Sequence, residues 1–239
     1  MNHQLDRQIQ KVSPQIALDS IIQATATNLV ILDFDETLWL RNSTAEYINS
    51  LRPRWLGFLA IACLKVLKPW KWLPSPFRGD QVRDWFLVVI PTILFPWNIL
   101  LWHKRAKELA QHANPELISA VNSNQVSQIM VASLGFNFVI KPIVQQLPMR
   151  CDRLISCRFW QGAKDRSQGK LLMMEEVCSP PELRSAILVT DSQDDLPLLK
   201  IVQQPCLVIW SSAEYRHPFQ NFWLASTIQK LIRSAKNYK

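Results

Sequence analysis

The chain predicts an α/β fold, a parallel sheet with helices on both faces, interrupted by one inserted and mainly helical module. Three observations carry that expectation. Short apolar, β-branched runs alternate with segments of helical pattern along most of the 239 residues. Two of those runs, at residues 29–32 and 186–190, lead straight into acidic residues. Between residues 43 and 111 the alternation stops and a basic, tryptophan-rich stretch takes its place. With 48% apolar residues the chain can bury one sizeable core. The expected division is a core domain of residues 1–42 and 112–239 and an inserted module of residues 43–111.

Taken in order, residues 1–26 read as a polar lead-in with a weak amphipathic helix (Ile9, Val12, Ile16) broken at Pro14. Leu29-Val30-Ile31-Leu32 is a buried strand, followed by Asp33-Phe34-Asp35-Glu36-Thr37. Where a strand gives way to a loop, Asp33 and Asp35 can turn toward one point at its carboxyl end, where open α/β sheets bind ligands. Two acids held together repel each other, so the arrangement favours a bound cation and metal-assisted chemistry. Residues 115–121 predict a helix, and Gln128-Ile129-Met130-Val131-Ala132-Ser133 a strand ending in a hydroxyl. A helix over 137–146, despite Pro142, and a strand-like run in 152–159 come next. Residues 161–169 read as a polar loop that delivers Lys170 to a helix over 171–176. Ala186-Ile187-Leu188-Val189-Thr190 is a buried strand ending in Asp191, with Asp194 and Asp195 close behind. A last strand at 206–210 and a closing helix at 219–232 complete the pattern.

In this order the pieces resemble the haloacid dehalogenase superfamily, whose phosphatases carry Asp-x-Asp-x-Thr after the first strand. The resemblance implies that Asp33 is a nucleophile forming an aspartyl-phosphate and Asp35 the general acid and base. It implies that Thr37, Ser133 and Lys170 bind the phosphoryl group, with Lys164 a second candidate for the lysine. It further implies a Mg²⁺ cofactor, with Asp33, Asp35, Asp191 and Asp195 as the metal-site acids and Asp195 steadying the site. Two positions depart from the pattern: Glu36 stands where many members have glycine, and Thr190 and Ser192 replace glycines flanking the last acidic motif.

The insertion corresponds to the cap that in this superfamily covers the active site and selects the substrate. Between Arg41 and Lys107 there are 11 Lys or Arg against 3 Asp or Glu, which accounts for the net +8 of the whole chain. Six of the ten tryptophans lie there too. The run from Trp85 to Trp102 is uncharged and nearly long enough to cross a bilayer, but Pro91, Pro96 and Asn98 argue for a broken helical hairpin lying in the membrane interface. The competing expectation is that these residues pack inside the cap. The Leu51-Arg52-Pro53-Arg54-Trp55-Leu56 segment and the basic Lys104-Arg105-Ala106-Lys107 helix are similar to the cap of such domains fused to membrane polyprenyltransferases, which points toward a lipid-linked phosphate.

Five cysteines without metal-ligand spacing read as small core residues of a reducing compartment. The amino terminus lacks the apolar run of a signal peptide, so a cytoplasmic location is expected, with membrane association through the insertion. His103, His112 and His217 have no ligand spacing. The resulting expectation is a Mg²⁺-dependent phosphatase acting on a phosphorylated small molecule or lipid, with an anionic membrane surface as partner and no nucleic acid. Its rivals are a phosphotransferase, or a non-catalytic membrane-surface or nucleic-acid-binding module with a vestigial site.

Overall fold

The computed structural model describes residues 9–25, 27–124 and 128–214. The first eight residues, the helix expected over 219–232 and His217 lie outside them. Five strands form one all-parallel sheet: β1 (Leu29–Asp33), β2 (Gln128–Phe136), β3 (Arg153–Cys157), β4 (Ile187–Thr190) and β5 (Gln204–Leu207), in the spatial order β3-β2-β1-β4-β5. This is the doubly wound, Rossmann-like arrangement, with the order reversing between β1 and β4. Every side chain of β1 is buried. Val30 and Leu32 pack on one face and Leu29 and Ile31 on the other, which is why the strand reads as an unbroken apolar run.

The helices follow from local signals. In α1 (Pro14–Ile22) the Ser13 side chain caps the start and Pro14 takes the first helical position, so Pro14 opens the helix where the sequence suggested a break. The insertion supplies α2 (Ser43–Ser50), α3 (Arg54–Leu67), α4 (Arg83–Leu94), α5 (Trp97–Lys104) and α6 (Ala106–Leu109). Then come α7 (Pro115–Ser123), α8 (Asn137–Val144), α9 (Gly162–Glu175), α10 (Pro180–Arg184) and α11 (Leu196–Leu199). The expected polar loop over 161–169 is helical. The helix is interrupted at Gly169 alone, whose φ of 79° and ψ of 170° are open to glycine and to almost no other residue.

The apolar run from Trp85 to Trp102 is two helices. Pro91 sits inside α4, and the sharp turn falls at Phe95-Pro96, where the helical segments Asp80–Leu94 and Trp97–Lys104 meet at 104°. Among the described residues no single helix is long and apolar enough to cross a membrane. Asn98, expected to be costly in a lipid setting, is buried and fully engaged: its amide accepts from the Arg52 N–H (2.7 Å) and donates to the carbonyls of Arg52 and Phe95.

The insertion and the sheet share one apolar cluster, in which Tyr47, Phe86, Val88 and Trp102 join Val30, Val131 and Val139. Indole N–H groups stitch the seam. Trp102 donates to the Val139 carbonyl (2.8 Å) and Trp85 to that of Phe159 (3.0 Å). Trp39, on the core side, donates to Leu109 (2.7 Å). Arg166 of α9 adds bonds to the Gln81 carbonyl and to Asp84. All five cysteines are unpaired; Cys157, Cys178 and Cys206 are buried as expected of core residues, whereas Cys63 is exposed on α3. His112 packs its edge against Trp39, and His103 is exposed.

Candidate active site

The carboxyl ends of β1 and β4 flank the point where the strand order reverses, and the acids lie there. Asp33 is the last residue of β1 and nearly buried. One of its carboxylate oxygens accepts from the Phe34 N–H and pairs with Lys170 Nζ, both at 2.8 Å; the other faces the Thr190 hydroxyl at 2.9 Å. Lys170, buried at the restart of α9 just past Gly169, also pairs with Asp195 at 2.6 Å. Lys164, six residues earlier on the same helix, is exposed. The structure thus brings Lys170 to the site and leaves Lys164 outside it.

Asp35 sits where α2 begins. Its carboxylate accepts from the Ser43 N–H (2.5 Å) and from the Ser133 hydroxyl (3.3 Å), and Asn42 caps the helix that presents Ser43. Ser133 lies inside β2, at an irregularity of its pairing with β3 between Ala132 and Phe136, and not at the strand's end as the sequence suggested. That irregularity lets the Gly135 N–H turn back to the Ser133 hydroxyl (2.9 Å). A side chain at Gly135 would meet Ile140 at 2.5 Å and the Asp35 carboxylate at 3.2 Å, so glycine is required by close approach.

Asp191 directly follows β4. Thr37, fully buried, donates its hydroxyl to the Asp191 carboxylate and accepts the Asp191 N–H, both at 3.1 Å. The Thr37 side chain thus holds Asp191 in place. Asp195 follows in the short turn after β4. It is buried, and its carboxylate is turned to Lys170 and to Thr190 (2.6 Å).

Five carboxylates (Asp33, Asp35, Glu36, Asp191 and Asp195) lie at this end of the sheet, with Lys170 pairing only Asp33 and Asp195, and the electrostatics reflect it. Burial, only partly offset by Lys170, pushes Asp33 up to about 6. Burial and then the charge of Asp33 push Asp191 up to about 7. Glu36 rises to about 7 through burial and the nearby Asp35. Burial also raises Asp35, against the Ser43 N–H that favours its charged form. Lys170 is raised: burial works against its charge, but Asp33 and Asp195 outweigh burial. Thr190 has one proton for two carboxylates, so a proton on Asp33 completes the network, in line with its raised titration.

Among the described residues no three Asp, Glu, His or Cys side chains converge as a ready-made metal cage. Asp33 and Asp191 offer two carboxylates that feel each other's charge, and Lys170 reaches only the first. A hard divalent cation taking a few carboxylate oxygens and keeping waters fits such a donor set.

Four contributors were not singled out from the sequence as site residues. Ser43 acts through its backbone, Gly135 through its missing side chain and Thr190 through its hydroxyl; Asn114 donates to the Thr37 carbonyl (3.2 Å) and caps α7. The Asn42-Ser43-Thr44 and Asn114-Pro115 helix-start signals could have pointed to the first and last of these.

No protein-family model matches the chain, and no curated protein matches it. Among solved structures, it is similar to a phosphoserine phosphohydrolase-like protein from Francisella tularensis subsp. tularensis SCHU S4, with 15% identity and a TM-score of 0.49. The match covers 74% of this chain and 84% of that one. The chemistry below rests on the site's geometry.

Proposed function

We propose that the chain is a phosphatase of the haloacid dehalogenase type, hydrolysing a phosphomonoester through an aspartyl-phosphate. One observation carries this reading: Asp33, Asp35, Ser133, Lys170 and Asp191, from four separate stretches of sequence, gather at the carboxyl ends of β1 and β4 and the irregular stretch of β2. A helix-start acid or a strand-end serine has an ordinary structural use on its own. Their convergence has no such use, because burial together with neighbouring carboxylates raises Asp33 and Asp191, against the offsetting charge of Lys170, and costs stability.

Asp33 attacks phosphorus, and the phosphorus–oxygen bond to the leaving group breaks. Asp35 gives its proton to that oxygen, then accepts one from the water that attacks the phospho-aspartate and frees phosphate and Asp33. Burial keeps Asp35 protonated further up the pH scale, which suits an acid in the first step. Lys170 and the Ser133 hydroxyl orient and neutralise the transferring group, while Asp195 and Thr190 hold Lys170 and Asp33 in place. Magnesium, held by Asp33, Asp191 and the main-chain carbonyl of Asp35, would supply charge neutralisation at the phosphoryl oxygens. The substrate class we favour is a phosphorylated small molecule or lipid; nucleic acid is not part of the reading.

The test is phosphate release from an aryl phosphate, with magnesium and with EDTA. Wild-type protein should turn over only with the metal, Asp33→Asn should be inactive, and Asp35→Asn should be slower on the order of a hundredfold or more. Undiminished turnover in Asp33→Asn would remove the nucleophile from the scheme and the scheme with it.

A further inference from the structure

Large apolar side chains are unevenly exposed on this molecule. Of the 17 large hydrophobic residues exposed among the described residues, ten belong to the stretch from Trp55 to Leu101. On α3 they form a stripe at helical spacing, Trp55, Leu59 and Val66, with Trp55 68% and Val66 81% exposed while Gly57, Ile61 and Leu64 of the opposite face are buried. A helix of a water-soluble surface would carry its polar residues there.

A second apolar patch lies beside the first. The turn between α4 and α5 exposes Ile93, Leu94, Trp97 and Leu100, and the Trp97 ring N–H donates to the Arg52 carbonyl (2.8 Å), fixing this corner next to the start of α3. Where the two meet, Arg52, Arg54, Leu101, Lys104 and Arg105 line an open cleft of about 470 Å³. Arg105 is paired with Glu108, and Glu46, on the cleft's far wall, with Arg41. Among the described residues Arg52, Arg54 and Lys104 have no carboxylate within ion-pair distance. Lys68 lies exposed at the other end of the α3 stripe.

We infer that α3 and the α4–α5 corner form a docking surface for an anionic lipid bilayer, with the Arg52, Arg54 and Lys104 cleft receiving a lipid headgroup phosphate. Charge complementarity selects this occupant. An apolar helix stripe with Trp55 at one end and Lys68 beyond the other suits a helix lying flat at headgroup depth, and three cleft cations without a carboxylate partner among the described residues suit anionic lipid. Helix α2 connects the two regions: Ser43 at its first turn bonds Asp35, while Asn49 and Ser50 at its last turn line the cleft. The helix that links the docking cleft to the candidate active site is thus about 12 Å long. The surface stands independently of the phosphatase reading.

The experiment is co-sedimentation of the full chain with vesicles of phosphatidylcholine alone or mixed with phosphatidylglycerol, over a salt series, alongside aryl phosphate turnover without vesicles. Wild-type protein should pellet with the anionic vesicles and lose part of that binding with salt. Arg54→Gln and Lys104→Gln should each weaken partitioning about fivefold at low salt. Val66→Ser and Leu100→Ser should remove the salt-resistant part, and all four variants should keep wild-type turnover and melting temperature. Wild-type protein left in the supernatant at low salt overturns the proposal. So does equal pelleting of all four variants, or a dimer in lipid-free sedimentation that Val66→Ser dissolves, which would give the face to a second copy. Retention on single-stranded DNA insensitive to Val66→Ser, with no vesicle binding, overturns it in favour of a nucleic acid.

Discussion

Glu36 holds a left-handed backbone, φ 59°, with a half-buried carboxyl pushed up to about 7. A non-glycine residue there costs on the order of 1–2 kcal/mol. Glu36→Gly should therefore stabilise the metal-free protein by about 1 kcal/mol, read by thermal melting; a lower melting temperature would mean that the carboxylate earns its place through Asp191 or Asn42. The flanking positions behave differently. Thr190 and Ser192 have ordinary extended backbones that need no glycine, and their hydroxyls serve Asp33 and the Asp194 N–H. The same acids give a pH signature. Asp33, Glu36 and Asp191 titrate higher folded than unfolded, so the folded state holds more protons between about pH 4 and 7, and their contribution to stability is lost as pH rises through that window. Asp191→Asn should accordingly gain on metal-free wild type as pH increases from 5 to 7.5. Magnesium should raise the melting temperature more at the upper end of that range. A pH-independent difference between the two proteins would refute this account of Asp191.

At the scale of elements, Gly169 decides where Lys170 points. Its backbone lies in a region that is almost exclusively glycine's, yet an added Cβ would touch nothing within 4 Å. Gly169→Ala therefore isolates backbone strain: it should cost about 1–3 kcal/mol and lower turnover by re-aiming Lys170, with the melting temperature and kcat as readouts. Loss of stability with unchanged kcat would show that the kink does not position the lysine. The sequence revealed the helix after Gly169 but not the one before it, because Gly162-Ala163-Lys164-Asp165-Arg166 lacks an apolar face on which periodicity could be read. That half of α9 is held by polar contacts instead. Asp165 accepts from Arg158, and Arg166 reaches Leu134, Gln81 and Asp84. β1 and β4 are legible because both of their faces are buried, whereas Pro14, a helix breaker by residue type alone, opens α1 because Ser13 before it caps the first turn. The acids and Lys170 were legible as residue types at strand ends and helix starts. Thr190, Gly135 and the Ser43 N–H were not, because each acts through a contact that only tertiary proximity creates.

For the molecule as a whole, the question is whether the insertion behaves as a separate lid. Its tryptophans lie within or at the ends of apolar runs in a basic segment, and that pattern cannot tell a membrane anchor from a core anchor. The structure sorts them by partner. Trp70 and Trp102 are buried, the latter tied to the carbonyl of Val139 on α8, whereas Trp55, Trp72 and Trp97 are exposed. Because Trp102, Phe86, Tyr47 and Ile61 lie in the same apolar cluster as Val30 and Val131, removing the insertion would uncover the main face of the sheet. Full burial of one such side chain is worth about 1.5–3 kcal/mol, so the seam's contribution is comparable with the whole stability of an ordinary domain. The chain should therefore unfold in a single transition, with tryptophan fluorescence and far-ultraviolet circular dichroism superimposing across a urea titration. Trp102→Phe removes the indole N–H that the Val139 carbonyl accepts and puts a smaller ring into the seam, and should shift that one midpoint by roughly 1–3 kcal/mol while keeping the transition single. Two separated transitions, the earlier one sensitive to Trp102→Phe, would instead mean that the insertion melts off an intact sheet, and docking at its outer face could then move the lid independently of the acids beneath it.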